Sequence, residues 1–194
     1  MDRPSKALEP LWEPVKIVLE IITDFDDQGM IIGGVAASIL GKPRFTADVD
    51  ALILISIAHI SELVTLAERK GLRPRISNVV EFAQKNRVVL LTHPDSGIHV
   101  DIVLGLLPFE IEAVERAQEY DLGTLRVRLP SPEDLVILKA LAHRPKDMID
   151  IKAIAAMHPR LDKERIYFWV RQFADLLEVP ELLSDLEAIL EKTR

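Results

Sequence analysis

Apolar positions recur at helical spacing from the start of the chain: Val15, Val18, Leu19, Ile22 and Phe25 predict a helix over 15–27, ended at Gly29. Glycine suits such a stop because it tolerates the left-handed backbone that closes many helices. "MII" (30–32) then reads as a short buried strand, and Gly33-Gly34 leads into "VAASIL" (35–40), a short helix closed by Gly41 and followed by Pro43. "VDALILI" (49–55) is a second strand, and "ISELVTLAERKG" (60–71) a helix with Gly71 at its end.

Ser77 is placed to cap a short helix running to Asn86. "RVVLLTH" (87–93) and "IHVDIVLG" (98–105) flank "PDSG" and predict an antiparallel hairpin. "FEIEAVERAQEY" (109–120) is amphipathic, and "TLRVRL" (124–129) alternates as a strand. From Pro130 only helical patterns follow. In "SPEDLVILKAL" (131–141) Ser131 stands at the cap, Pro132 at the first helical position and Asp134 three residues after the cap. "KDMIDIKAIAAM" (146–157), "DKERIYFWVRQFADLLE" (162–178) and "PELLSDLEAILEKT" (180–193) complete the series. The predicted class is α/β (α+β): a mixed-sheet core over 1–129, flanked by helices, with a helical C-terminal region over 130–194 packed on it.

Composition narrows the chemistry. The chain has 194 residues and no cysteine, which removes disulfides, thiolate metal sites and a cysteine nucleophile. No apolar run has signal-peptide form or the length of a membrane helix, so the expected location is cytoplasmic, with no membrane partner. A net charge of −7 argues against broad nonspecific nucleic-acid binding. Basic residues nonetheless cluster in "ERKGLRPR" (68–75), "RVR" (126–128) and "HRPK" (143–146), either as ordinary solvated charge or as parts of a local groove.

Against this background Asp48 and Asp50 stand out, because both interrupt an apolar strand. Strand side chains alternate, so the two share a face while Val49 points to the other. Asp101 is likewise embedded in an apolar strand, and three carboxylates converge if that strand lies beside the strand of Asp50. At about 5 Å and an effective dielectric near 20, each pair of anions costs ~3 kcal/mol, a penalty that a bound cation removes. Oxygen-only ligation favours Mg²⁺ or Mn²⁺, and magnesium shares its shell with substrate phosphates, which points to phosphoryl chemistry. Gly33-Gly34 supplies a matching half, since a glycine turn before a helix lets backbone N–H groups seat a phosphate. In the loop before Asp48, Arg44 is placed to contact phosphate and Thr46 to brace the loop, with plain surface roles as the alternative. His99 shares the face of Asp101 and borders the site, or is a strand-end histidine without catalytic duty.

"GGVAASILGKPRFTADVDALI" with "HVDIV" resembles the DNA polymerase β-like nucleotidyltransferase superfamily, whose pattern is a strand, Gly-Gly or Gly-Ser, about ten residues, Asp-x-Asp, then a third acidic residue on a following strand. With "PSPEDLVILKALAHRPKDMIDI" (130–151) the chain is similar to the AbiEii-type family, the transferase toxins of bacterial toxin–antitoxin systems and their relatives. The resemblance spans roughly residues 30 to 152. It implies that Asp48 and Asp50 hold two metal ions, that Asp101 holds one of them and helps deprotonate the attacking hydroxyl, and that Gly33 and Gly34 cradle the triphosphate. It also singles out Lys139, within reach of a nucleotide phosphate, and Asp147; Lys139 as a solvated helix lysine is the competing reading.

The implied activity is transfer of a nucleoside monophosphate from an NTP to a hydroxyl acceptor on RNA (tRNA included), protein or a small molecule, with release of pyrophosphate and a cognate antitoxin as partner. Two other classes compete: a noncatalytic nucleotide-sensing or partner-binding module on the same fold, and a metal phosphohydrolase. The last lacks the His-rich metal motifs common in such enzymes.

Overall fold

The computed structural model describes residues 6–123 and 125–191. A 3₁₀ turn over Lys6–Leu11 leads into α1 (Trp12–Asp24), whose buried side carries Val15, Val18, Ile21 and Ile22. The helix ends earlier than the apolar spacing predicts. Asp26 and Asp27 both take the left-handed backbone (φ 56°), and the Asp27 N–H returns to the Ile22 carbonyl at 3.0 Å, so acidic residues rather than Gly29 close it. Gly29 instead opens β1 (Gly29–Ile32), where a Cβ would stand 2.8 Å from the Leu52 carbonyl oxygen.

The chain then runs directly into α2 (Gly33–Leu40), which begins on the two glycines, and crosses to β2 (Asp48–Ile53). After α3 (Ile60–Arg69) a two-residue strand, β3 (Arg73–Pro74), precedes α4 (Val79–Asn86). Asn78 rather than Ser77 occupies the cap position of α4, and no side chain caps it: Ser77 lies within the preceding turn. β4 (Val88–His93) and β5 (Ile98–Leu104) form the expected antiparallel hairpin, turned at Gly97 (φ 69°), whose N–H bonds to the His93 carbonyl at 2.8 Å.

The five strands align in the order β1-β2-β5-β4-β3. β1 is antiparallel to β2, β2 parallel to β5, and β5 antiparallel to β4. This order makes the central β2–β5 pair the product of a long crossover through α3, β3, α4 and β4. Val49 and Ala51 on β2 and Val100 and Ile102 on β5 are completely buried and face the core.

The amphipathic stretch 109–120 divides. Its first part forms α5 (Pro108–Glu115), and its end turns into β6 (Gln118–Asp121), which pairs with β7 (Arg126–Leu129) as a separate ribbon. Pairing overrides helical periodicity here because Tyr120 stands opposite the fully buried Val127. Thr124, the predicted first residue of that second strand, lies outside the described residues.

The remainder is helical: α6 (Pro132–Ala142), α7 (Pro145–Met157), α8 (Lys163–Leu177) and α9 (Glu181–Leu190). Residues 192–193 of the last predicted helix lie outside the described residues. Ser131 caps α6 by accepting the Asp134 N–H at 3.1 Å. The fully buried Asp134 carboxylate also accepts from Arg165 at 2.8 Å and Arg116 at 3.2 Å, which ties α8 and the end of α5 to α6. Phe109 meets Trp169 and Phe173 edge to face at centroid distances of 5.4 and 5.8 Å, contacts worth about 0.5–1.5 kcal/mol each beyond area burial. α6 and α7 both lie against α2, so the helical region packs onto the element that begins at the glycine turn. Among the described residues no helix is long and apolar enough to cross a membrane.

Candidate functional site

Register decides the geometry of the carboxylates. Asp50 stands opposite Asp101 across the parallel β2–β5 pair, and Asp48 stands opposite His99. Side chains opposite one another share a face, so Asp48, Asp50 and Asp101 project from one side of the sheet. The row through Asp50 runs from Ile32 on β1 through Asp101 to Leu90 on β4. It continues to Arg75, whose N–H bonds to the Leu90 carbonyl at 3.0 Å. From that edge the Arg75 guanidinium reaches back to pair with the Asp101 carboxylate. His99 Nδ1 lies 3.8 Å from Asp48 Oδ1 at the exposed end of the face.

The glycine turn is fitted to Asp50. Gly33 has φ +65°, and a Cβ there would stand 2.6 Å from the Asp50 carboxyl carbon. At Gly34 a Cβ would stand 2.8 Å from Thr46 Cβ, so Thr46 packs directly on the turn. The Gly34 N–H donates to the Asp50 carboxylate, using one of the free donors at the start of α2. Both glycines are thus required by close approach of protein groups.

Electrostatics separate the carboxylates. Burial pushes Asp50 up from the ordinary aspartate value, Asp48 adds to the rise, and the Gly34 N–H, Lys139 and Arg144 oppose it. Asp101 is also raised, mainly by burial and further by Asp50 and Asp48, against the pull of Arg75. The face therefore concentrates negative charge that is incompletely balanced.

Balancing cations come from a second cluster. Lys139 on α6 is 3% exposed and lies 3.0 Å from Asp147 and 2.9 Å from Asp150, both buried on α7. Arg44, in the loop before β2, grips Asp150 through Nε and Nη2 at 2.7 and 2.8 Å, and its Nη1 donates to the Phe45 carbonyl. Arg144 grips Asp147 through Nε at 2.6 Å and Nη2 at 3.2 Å. For Asp147 and Asp150 burial favours the neutral acid, but hydrogen bonds from Arg144 and Lys139 to Asp147, and from Arg44 and Lys139 to Asp150, outweigh it and hold both below the ordinary range.

The predicted site residues therefore fall into two groups. Gly33, Gly34, Thr46, Asp48, Asp50, His99 and Asp101 gather around the β2–β5 face; Arg44, Lys139 and Asp147 belong to the adjoining charge cluster. Lys139 is buried in ion pairs rather than solvated. Sequence reasoning missed Arg75, Asp150 and Arg144 as participants, although two basic clusters, 68–75 and 143–146, contain the arginines.

The donor set of the face, carboxylate oxygens without thiolates, suits a hard divalent cation. Asp48 and Asp50 fit as a two-carboxylate donor pair, while Asp101 is engaged by Arg75. Among the described residues no group of three or more His, Cys, Asp or Glu side chains is arranged to hold a metal ion.

Residues 10–171 match the family described as "Nucleotidyltransferase of unknown function" (DUF6036). The chain belongs to this family. Its fold is shared with solved nucleotidyltransferase-type structures at low identity. One is the antibiotic-resistance factor ANT(2'')-Ia, similar with a TM-score of 0.55 and 18% identity over 87% of this chain and 95% of that one. Another is an antigenic nucleotidyltransferase-like protein from Paracoccidioides brasiliensis, with a TM-score of 0.52 and 17% identity over 97% of this chain and 99% of that one. No curated protein sequence matches. Family membership and fold together put the chain in the nucleotidyltransferase superfamily.

Proposed function

We propose that the protein is a metal-dependent nucleotidyltransferase that moves a nucleoside monophosphate from an NTP to a hydroxyl acceptor. The observation that carries this reading is the Asp50–Asp101 register beside Asp48, directly over the Gly33–Gly34 turn. Asp48 and Asp50 would hold Mg²⁺ or Mn²⁺, which supplies charge neutralisation and polarisation of the phosphate when bound. Gly33 and Gly34 offer the N-terminus of α2 to the polyphosphate, which suits an anion. Asp101 takes the proton of the attacking hydroxyl at a carboxylate oxygen. The acceptor oxygen bonds to the α-phosphorus as the bond to the bridging oxygen breaks, and pyrophosphate leaves with the electron pair. Thr46 braces the turn, and His99 borders the acceptor side. Residues 1–129 serve as the catalytic core and 130–194 as a helical region that brings Lys139 and Asp147 to it.

Within this reading we place the chain with AbiEii-type transferases, as a toxin–antitoxin component acting in the cytoplasm on RNA, tRNA included, protein or a small molecule. The likeness of "GG…R.T.DVD" and "PSPEDLVILKALAHRPKDMIDI" supports that placement.

A second reading, a noncatalytic nucleotide-sensing or partner-binding module, is favoured by one observation: Arg75 already occupies Asp101. Calorimetric titration of ATP, GTP, CTP and UTP with and without Mg²⁺, beside the Asp48→Asn/Asp50→Asn variant, tests the site. A pyrophosphate-release assay tests catalysis. The transferase reading expects Mg²⁺-dependent binding lost in the variant and pyrophosphate release with a suitable acceptor. Binding with no turnover, together with copurification of a stoichiometric partner, supports the module.

A further inference from the structure

Arg144 occupies the cap position of α7, yet its arrangement exceeds what capping requires. A cap needs only an acceptor for free N–H groups. Here Asp147 accepts the Arg144 backbone N–H at 3.2 Å and also holds the same residue's guanidinium through Nε and Nη2. One carboxylate thereby fixes both ends of the arginine. The guanidinium is planar and carries five donors, so a clamp on the Nε–Nη2 edge leaves the Nη1 edge available. The side chain is 55% exposed, whereas Arg44 is less exposed and has Nε, Nη1 and Nη2 all engaged. Arg144 is therefore the most exposed cation of the cluster, with a whole edge of its guanidinium left outside the Asp147 clamp.

Its position gives those donors a target. α7 runs alongside α2: Ile154 meets Gly41 at the end of α2, and Asp150, one turn earlier, holds Arg44 in the loop that returns to Thr46 on Gly34. Arg144, at the opposite end of α7 from Ile154, is thereby directed toward the glycine turn. Lys139, Arg44 and Arg144 set against Asp147 and Asp150 leave one net positive charge on this side of the site. A positive surplus beside a helix N-terminus complements a chain of phosphates.

We propose that Arg144 is a polyphosphate-binding residue, presented by the Asp147 cap, that selects nucleoside triphosphates over monophosphates. This rests on the nucleotidyl-transfer reading and goes beyond it by assigning a residue outside the Gly-Gly and Asp-x-Asp elements. The test is calorimetric titration, in Mg²⁺, of the mono-, di- and triphosphates of adenosine, guanosine, cytidine and uridine. The proteins compared are wild type, Arg144→Gln and Arg144→Lys, with thermal unfolding of each as a control. Expected is a loss of ~10- to ~100-fold in triphosphate affinity for Arg144→Gln, with monophosphate affinity changed less than about twofold. Arg144→Lys should recover part of the loss. Wild-type binding accompanied by an equal loss for every nucleotide, or by no loss, overturns the proposal and leaves the site reading intact. A wild type that binds no nucleotide overturns both.

Discussion

Asp50 and Asp101 face each other across two parallel strands, although the crossover between them passes through two helices and two further strands. Like charges so placed oppose folding at neutral pH, and Arg75 relieves only the Asp101 end. Asp50→Asn should therefore abolish Mg²⁺-dependent nucleotide binding while raising stability by about 1 kcal/mol, a Tm increase of roughly 2–4 °C for a chain of this size. Parallel thermal melts and NTP titrations check both halves of the expectation.

Gly33 should resist substitution for two separate reasons. Its φ of +65° disfavours any L side chain, and the new Cβ would collide with the Asp50 carboxylate. Gly33→Ala is expected to cost about 2–4 kcal/mol, combining a left-handed penalty with overpacking. Urea unfolding measures that cost. Asp50→Ala in the same background should recover part of it by removing the colliding carboxylate.

Lys139 is the shared partner of two buried acids. Lys139→Met removes one cation from that arrangement and should destabilise the fold by about 3–5 kcal/mol, as loss of one member of a buried ion pair does. Addition of Asp147→Asn should recover part of the loss, and a double-mutant cycle in urea reads the coupling.

Loss of stability in strong acid should come from the same cluster. Asp147 and Asp150 are held below the ordinary aspartate value, so their stabilisation is complete above the unfolded-state pKa, near about 3.9, and is lost as pH falls through the lower folded-state value. Unfolding midpoints measured between neutral pH and strong acid should decline more shallowly for Asp147→Asn than for wild type over that lowest range.

Local signals in the sequence carried far. The Ser131–Pro132 cap, the "PDSG" hairpin and the same-face spacing of Asp48 and Asp50 depend on neighbours within a few residues, and the structure contains each of them. Helix α1 was legible except at its end, where two aspartates take a backbone that glycine usually adopts. Pairing across the fold was not legible. Arg44 and Asp150 lie 106 positions apart, and Arg75 reaches Asp101 only because β4 intervenes between the edge strand and β5. Lysine on a helix reads as solvated by default, and only the meeting of α6 with α7 buries Lys139.

The two halves of the charge arrangement also leave the ribosome at different times. Chains are made N-terminus first, so Asp48, Asp50 and Asp101 are joined to the chain before Lys139 and Arg144. Arg44 and Arg75 are the early cations of the nascent chain, and Lys139 and Arg144 join them only when α6 and α7 dock on α2. Completion of the candidate site is thereby coupled to the synthesis and docking of α6 and α7.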